Sequence, residues 1–352
     1  MKSLPIYTNP LVLTSCVEAF RQSILMTDDK YLIWIYENYI NVVLTRQNKV
    51  DFSFRYYEHD EELFLTTYDE VFTFTPFYDY MSISKKITDS LDEDKYIFIY
   101  VDMTYLKESN VYKKKKEEKV NEDYHEILIY GYDKTSKEFQ YLSYNVNGQT
   151  YGTAKCSYAS LKRAFDSALK QITANKDIYR YLLRFYLPFC KAALNENFQR
   201  ELNIYKIYTA ILSMNNHPLT ENKKELHFLN TKKTWYTFFE NIYCENIEIT
   251  NKIIHQIKLV IESKKIFVDL LDYIREKHLF MFSDCLYNNS VELLKMLKIY
   301  MGLLVKIKAG KSGSKIKKSH EYLNSIIAIE SKILNEIEDT LRNYINNPVF
   351  IT

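Results

Sequence analysis

Residues 125–133 read His-Glu-Ile-Leu-Ile-Tyr-Gly-Tyr-Asp, and residues 138–146 read Glu-Phe-Gln-Tyr-Leu-Ser-Tyr-Asn-Val. Each is a strand-length run rich in β-branched and aromatic residues, and the polar stretch Asp133-Lys134-Thr135-Ser136-Lys137 between them is a turn. The pair predicts an antiparallel hairpin with His125 at the open end of its first strand. Upstream, YIFIYVDMTYL (96–106) is apolar nearly throughout, the pattern of a strand covered on both faces. FSFRYY (52–57), LFLTTY (63–68) and VFTFTPF (71–77) add shorter strand patterns. Two helical patterns precede them. One starts at Cys16 and sets Val17, Phe20 and Ile24 on one face; the other runs through YLIWIYENYINVVL (31–44).

Past residue 155 the patterns turn helical. A serine-capped helix is expected over 157–172, and others over 177–195, 197–213, 233–243, 246–277, 290–308 and 316–345. In the last, Leu323, Ile326, Ile327, Ile333, Leu334, Ile337 and Leu341 make one stripe, which Glu330 interrupts. The expected class is α+β: a sheet-bearing domain over 1–155 and an all-α domain over 156–352. A chain of 352 residues has room for both.

Only six glycines and six prolines occur, which argues against a glycine-rich nucleotide-binding fold. Net charge is +2 but uneven: residues 1–155 hold 18 basic and 25 acidic side chains, and the remainder 29 and 20. A basic second half suits an acidic partner, or is a set of solvated helix faces. The aromatic first half is acidic, which opposes nucleic-acid binding. The five cysteines (Cys16, Cys156, Cys190, Cys244 and Cys285) are scattered with no C-x-x-C, so neither a disulfide framework nor a zinc site is expected. No run of 18 apolar residues and no signal-peptide pattern is present, and a reducing, cytoplasmic setting is expected. Gly310-Lys311-Ser312 lacks the first glycine of a phosphate loop, and the histidines lack metal-ligand spacing, so neither a cofactor nor a metal is expected.

Two residues carry chemistry as a pair. In TSCVEAF, Thr14 and Ser15 stand as caps and put Cys16 in the first turn of a helix, where unpaired backbone N–H groups favour a thiolate. His125, at the mouth of the sheet, suits a general base that takes the thiol proton and returns it to a leaving group. A third group should orient the imidazole. Asp133 is badly placed, about 26 Å along the same strand. A hairpin turn near 135–136 brings residues 143–147 opposite His125, so Ser143, Asn145 or Asn147 is within reach. Asn145 is preferred, because an amide carbonyl can accept the ring N–H. Asp102 is the alternative, as an orienting or substrate-facing carboxylate.

The order of these parts resembles a family. A helix-start cysteine (LTSCVEAFRQSIL) precedes an apolar strand with an aspartate (YIFIYVDMTYL), a polar insert, HEILIYGYD and a return strand (FQYLSYN). This is similar to the N-terminal domain of the butirosin biosynthesis protein H family, over roughly the first 150 residues. The resemblance implies a papain-like, C39-peptidase-like fold and a cysteine acyltransferase of natural-product biosynthesis, one that moves an acyl unit from an acyl carrier protein thioester to an amine. It assigns Cys16 as nucleophile and His125 as base. The family often has an aspartate on the return strand where this chain has Ser143. That difference leaves Asn145 in the orienting role, a bare dyad, or a catalytically degenerate interaction protein. A peptidase or amidase using the same site is the other enzymatic expectation.

Overall fold

In the computed structural model, the residues described are 1–40, 42–44, 52–54, 68–115, 123–183, 186–215, 239, 248–310 and 313–346. The chain divides into two compact units. The first comprises residues 1–32 and 60–199, and the second 33–59 and 200–352. The boundary expected at 155 is therefore misplaced, since the sheet draws on elements well beyond it.

The first unit is built on a seven-stranded sheet. Its strands are β1 (Lys2–Ser3), β4 (Phe72–Pro76), β5 (Tyr96–Asp102), β6 (Tyr124–Asp133), β7 (Glu138–Val146), β8 (Gln149–Ser157) and β9 (Phe189–Leu194). All pairings are antiparallel, in the order β4-β9-β5-β6-β7-β8, with β1 added beside β6. The expected hairpin is β6–β7, with Asp133 opposite Glu138 and the Asp133 carboxylate accepting the Thr135 N–H at 2.8 Å. Gly131 lies where β1 crosses: a Cβ there would meet the Lys2 carbonyl oxygen at 2.9 Å, so only glycine allows that approach.

Strand β9 overturns the helix expected over 177–195. Helix α6 (Lys176–Leu183) ends early, and Pro188, which cannot continue a helix, precedes a short apolar run. That run fills the slot between β4 and β5. Helices α1 (Cys16–Leu25) and α5 (Tyr158–Ala174) cover opposite faces of the sheet. Phe98 and its cross-strand neighbour Leu128 face Arg21 of α1, whereas Phe189, paired with Ile99, meets Phe165 of α5. Helix α5 starts where expected, its Ser157 hydroxyl accepting the Ser160 N–H. Two short helices, α3 (Ile83–Asp92) and α4 (Asn110–Lys115), complete the unit.

The second unit starts within α2 (Leu32–Tyr39). The helix expected over 31–44 gives way after Tyr39, and Val42–Leu44 (β2) pairs with Phe52–Phe54 (β3). The other elements of the unit among the described residues are helices: α7 (Ile204–Met214), α8 (Asn251–Glu276), α9 (Asp284–Ala309) and α10 (Gly313–Asn346). The patterns over 63–67 and 233–243 lie outside the described residues, save Phe239. The α10 stripe is buried as expected except at the half-buried Ile327, and Glu330 within it is buried too, 2.7 Å from Lys264 of α8. No helix among the described residues is long and apolar enough to cross a membrane.

Candidate active site

Helix α1 begins at Cys16. Ser15 holds the extended backbone of an N-cap (φ −125°, ψ 122°), with no side-chain cap bond. Every later residue of the helix, Val17 to Leu25, is buried, so Cys16 alone reaches the surface. The approach to the helix is pinned from two sides. The Gln22 side-chain oxygen accepts the Val12 N–H at 3.0 Å, and the Tyr144 hydroxyl donates to the Leu13 carbonyl at 2.9 Å.

His125 is the second residue of β6, opposite Val101. Its side chain lies within electrostatic reach of the Cys16 thiol. The imidazole Nδ1 lies 3.1 Å from the Glu126 carbonyl oxygen, and the ring sits 5.9 Å from that of Tyr144. The tautomer that donates Nδ1–H to this carbonyl leaves the Nε2 lone pair for the thiol proton. Burial lowers the imidazolium. The pull of Cys16, then that of the Glu126 carbonyl and carboxylate, outweighs that effect and pushes His125 up to about 9. A base held at the start of a helix-borne thiol can therefore keep its proton near neutral pH and deliver it to a leaving group.

The other cysteines differ. Cys156 and Cys190 are buried, and burial pushes both thiols up. Cys285 is exposed on α9, and Cys244 lies outside the described residues.

None of the four expected orienting residues reaches the imidazole; Asn147 instead donates to the Glu108 carboxylate and the Thr153 carbonyl. Asn145 takes a left-handed backbone (φ 53°), its side chain is exposed, and it makes no hydrogen bond to His125. The ladder between β6 and β7 runs from Asp133–Glu138 to Leu128–Leu142, short of the His125 level. Asp102 is buried and engaged elsewhere: Oδ1 accepts from the Thr104 N–H and hydroxyl at 3.0 and 2.7 Å, and Oδ2 from the Ser167 hydroxyl at 2.8 Å. It caps the single turn Met103–Tyr105 and ties it to α5. Ser143 is fully buried, its hydroxyl directed at the Tyr144 carbonyl and the Met103 sulfur.

The structure instead reveals a charged cluster beneath the dyad. Arg21 is 1% exposed. Its Nη1 donates to the Val17 carbonyl at 2.9 Å and lies 3.4 Å from Glu126 Oε1. The guanidinium carbon stands 4.6, 5.4 and 5.5 Å from the ring centres of Phe98, Tyr68 and Phe74. The Tyr68 hydroxyl donates to Glu18. Burial holds the Glu126 carboxyl above the ordinary carboxylate range, against the pull of Arg21 and His125. The available signal was Glu18 and Arg21, the two charges of the helix sequence CVEAFRQSIL, and Glu126 at the head of an apolar strand.

Comparison with protein-family models finds none that matches, and comparison with curated proteins finds no match either.

Proposed function

We propose that the chain is a papain-like cysteine acyltransferase. The observation that carries this reading is that Cys16, the first residue of a buried helix, and His125, at the mouth of an antiparallel sheet, lie close enough to interact. With the thiol proton already held on His125 Nε2, the Cys16 sulfur attacks the carbonyl carbon of an acyl thioester. The C–S bond to the donor breaks as that proton reaches the departing thiolate. An amine then attacks the acyl-enzyme, gives its proton to His125 and regenerates Cys16. The donor proposed is a carrier-protein thioester, which the basic charge of residues 156–352 would suit; the setting proposed is cytoplasmic natural-product assembly. Hydrolysis at the same site differs only in that water replaces the amine.

The test is incubation with aminoacyl N-acetylcysteamine thioesters, followed by intact-protein and peptide mass spectrometry. An acyl adduct on Cys16 is expected, lost in Cys16→Ala and discharged faster by added amine than by buffer. Discharge indifferent to amine would replace transferase by hydrolase. Absence of any adduct across a panel of acyl groups would count against both.

A further inference from the structure

The dyad has an unfilled requirement, since among the described residues no side chain holds the Nδ1 of His125. We infer that the main-chain carbonyl of Glu126 orients the imidazole, and that the buried Arg21–Glu126 pair is the brace that holds that carbonyl in register with Cys16. Arg21 and Glu126 are thus positioning residues; the inference rests on the Cys16–His125 reading above.

The geometry supports this in two independent ways. First, the pair joins the two elements that carry the chemistry. Arg21 lies five residues after Cys16 on α1, Glu126 follows His125 on β6, and 105 residues separate the partners in the chain. A shift of α1 along the sheet would separate thiol from imidazole, and it would break this contact at the same time. Second, the pair is a poor stability device. Its N–O separation is 3.4 Å, and Glu126 Oε2 is buried without a hydrogen-bond partner. Buried pairs of this kind are often replaceable by apolar residues without loss of stability, so a positional role explains its presence better than an energetic one. The guanidinium is fixed by three aromatic rings, which suits a planar cation and would not suit an ammonium as well. The other charged and titratable groups about this cluster are Glu18, Tyr68, Tyr151 and Cys190.

The experiment compares full-length wild type, His125→Ala, Glu126→Gln, Arg21→Lys and the double variant Arg21→Met/Glu126→Leu. Thermal melting reports the fold. Iodoacetamide alkylation of Cys16 across pH 5–10, mapped by mass spectrometry, reports the dyad. Wild type and His125→Ala are expected to differ in pH profile; identical profiles would defeat the dyad itself, whatever the brace does. Given that difference, Glu126→Gln and the double variant are expected to melt cooperatively yet alkylate about tenfold more slowly near pH 6.5, with Arg21→Lys between them and wild type. Folded variants with the wild-type profile would overturn the brace and leave the dyad standing. If Glu126→Gln, Arg21→Lys and the double variant all fail to fold, the pair is a folding element and the inference also falls.

Discussion

Among the described residues each unit holds one ion pair with both partners buried, and the two are built differently. In the helical unit Lys264 and Glu330 meet at 2.7 Å between α8 and α10, with the Met214 sulfur 3.6 Å from the ammonium. In the sheet unit Arg21 and Glu126 meet at 3.4 Å between α1 and β6, under three aromatic rings. The helical pair has the tighter contact and no nucleophile beside it. The looser pair joins the two elements that carry Cys16 and His125. Burial alone pulls the Lys264 ammonium down to about 8, whereas the guanidinium stays charged. The difference teaches that contact length does not rank such pairs by importance; what each one aligns does.

The comparison breaks most visibly at the dyad. Removing the base, His125→Ala, is expected to slow acylation of Cys16 by about 10²–10⁴-fold, measured as the rate of thioester adduct formation. Lys264→Met is expected to leave that rate unchanged and to destabilise the protein by about 3–5 kcal/mol, because Glu330 keeps a buried charge without its lysine. The double variant Lys264→Met/Glu330→Leu should recover most of that loss in urea unfolding. Failure to recover would mean that the pair contributes more than register between two helices.

Solution pH sharpens the contrast. His125 titrates at about 9 in the folded protein, above the ordinary imidazole value, so the native state holds the extra proton between the two. Its contribution to stability is complete below about pH 6.5 and is lost as pH rises through about 9. Urea midpoints from pH 6 to 9.5 should fall for wild type, and less steeply for His125→Gln. The smallest effect concerns Asn145. Its replacement by alanine is expected to change the acylation rate less than about twofold, where loss of an orienting triad member would cost orders of magnitude. A large loss would restore the asparagine to the site.

Much of the sheet unit was legible in the letters. The strand over 96–106, the hairpin about 133–138 and the helix start at Cys16 all follow from apolar periodicity, turn residues and a serine before the thiol. Strand β9 was hidden because FCKAAL is a short apolar run beside a helical pattern, and periodicity does not separate the two at that length. The break after Tyr39 was hidden for a similar reason, since INVVL continues an apolar pattern into β2. At the site, the proposed nucleophile and base were readable as residue types. The group that holds the base was not, because a main-chain carbonyl has no letter of its own. Arg21 and Glu126 were visible as charges, yet nothing local tells a buried charge from a solvated one.

Strand β9 has a consequence for how the molecule is made. It lies between β4 and β5, and both of those strands leave the ribosome about 90 or more residues before it. Until Leu194 has emerged, the apolar run Tyr96–Ile99 presents a bare edge to the cell, of the kind that invites wrong partners. A fragment ending near residue 155 would carry that edge permanently. Such a piece, which the helical change of pattern there invites one to cut, is expected to aggregate on expression, while a fragment reaching past Gln199 retains every strand of the sheet.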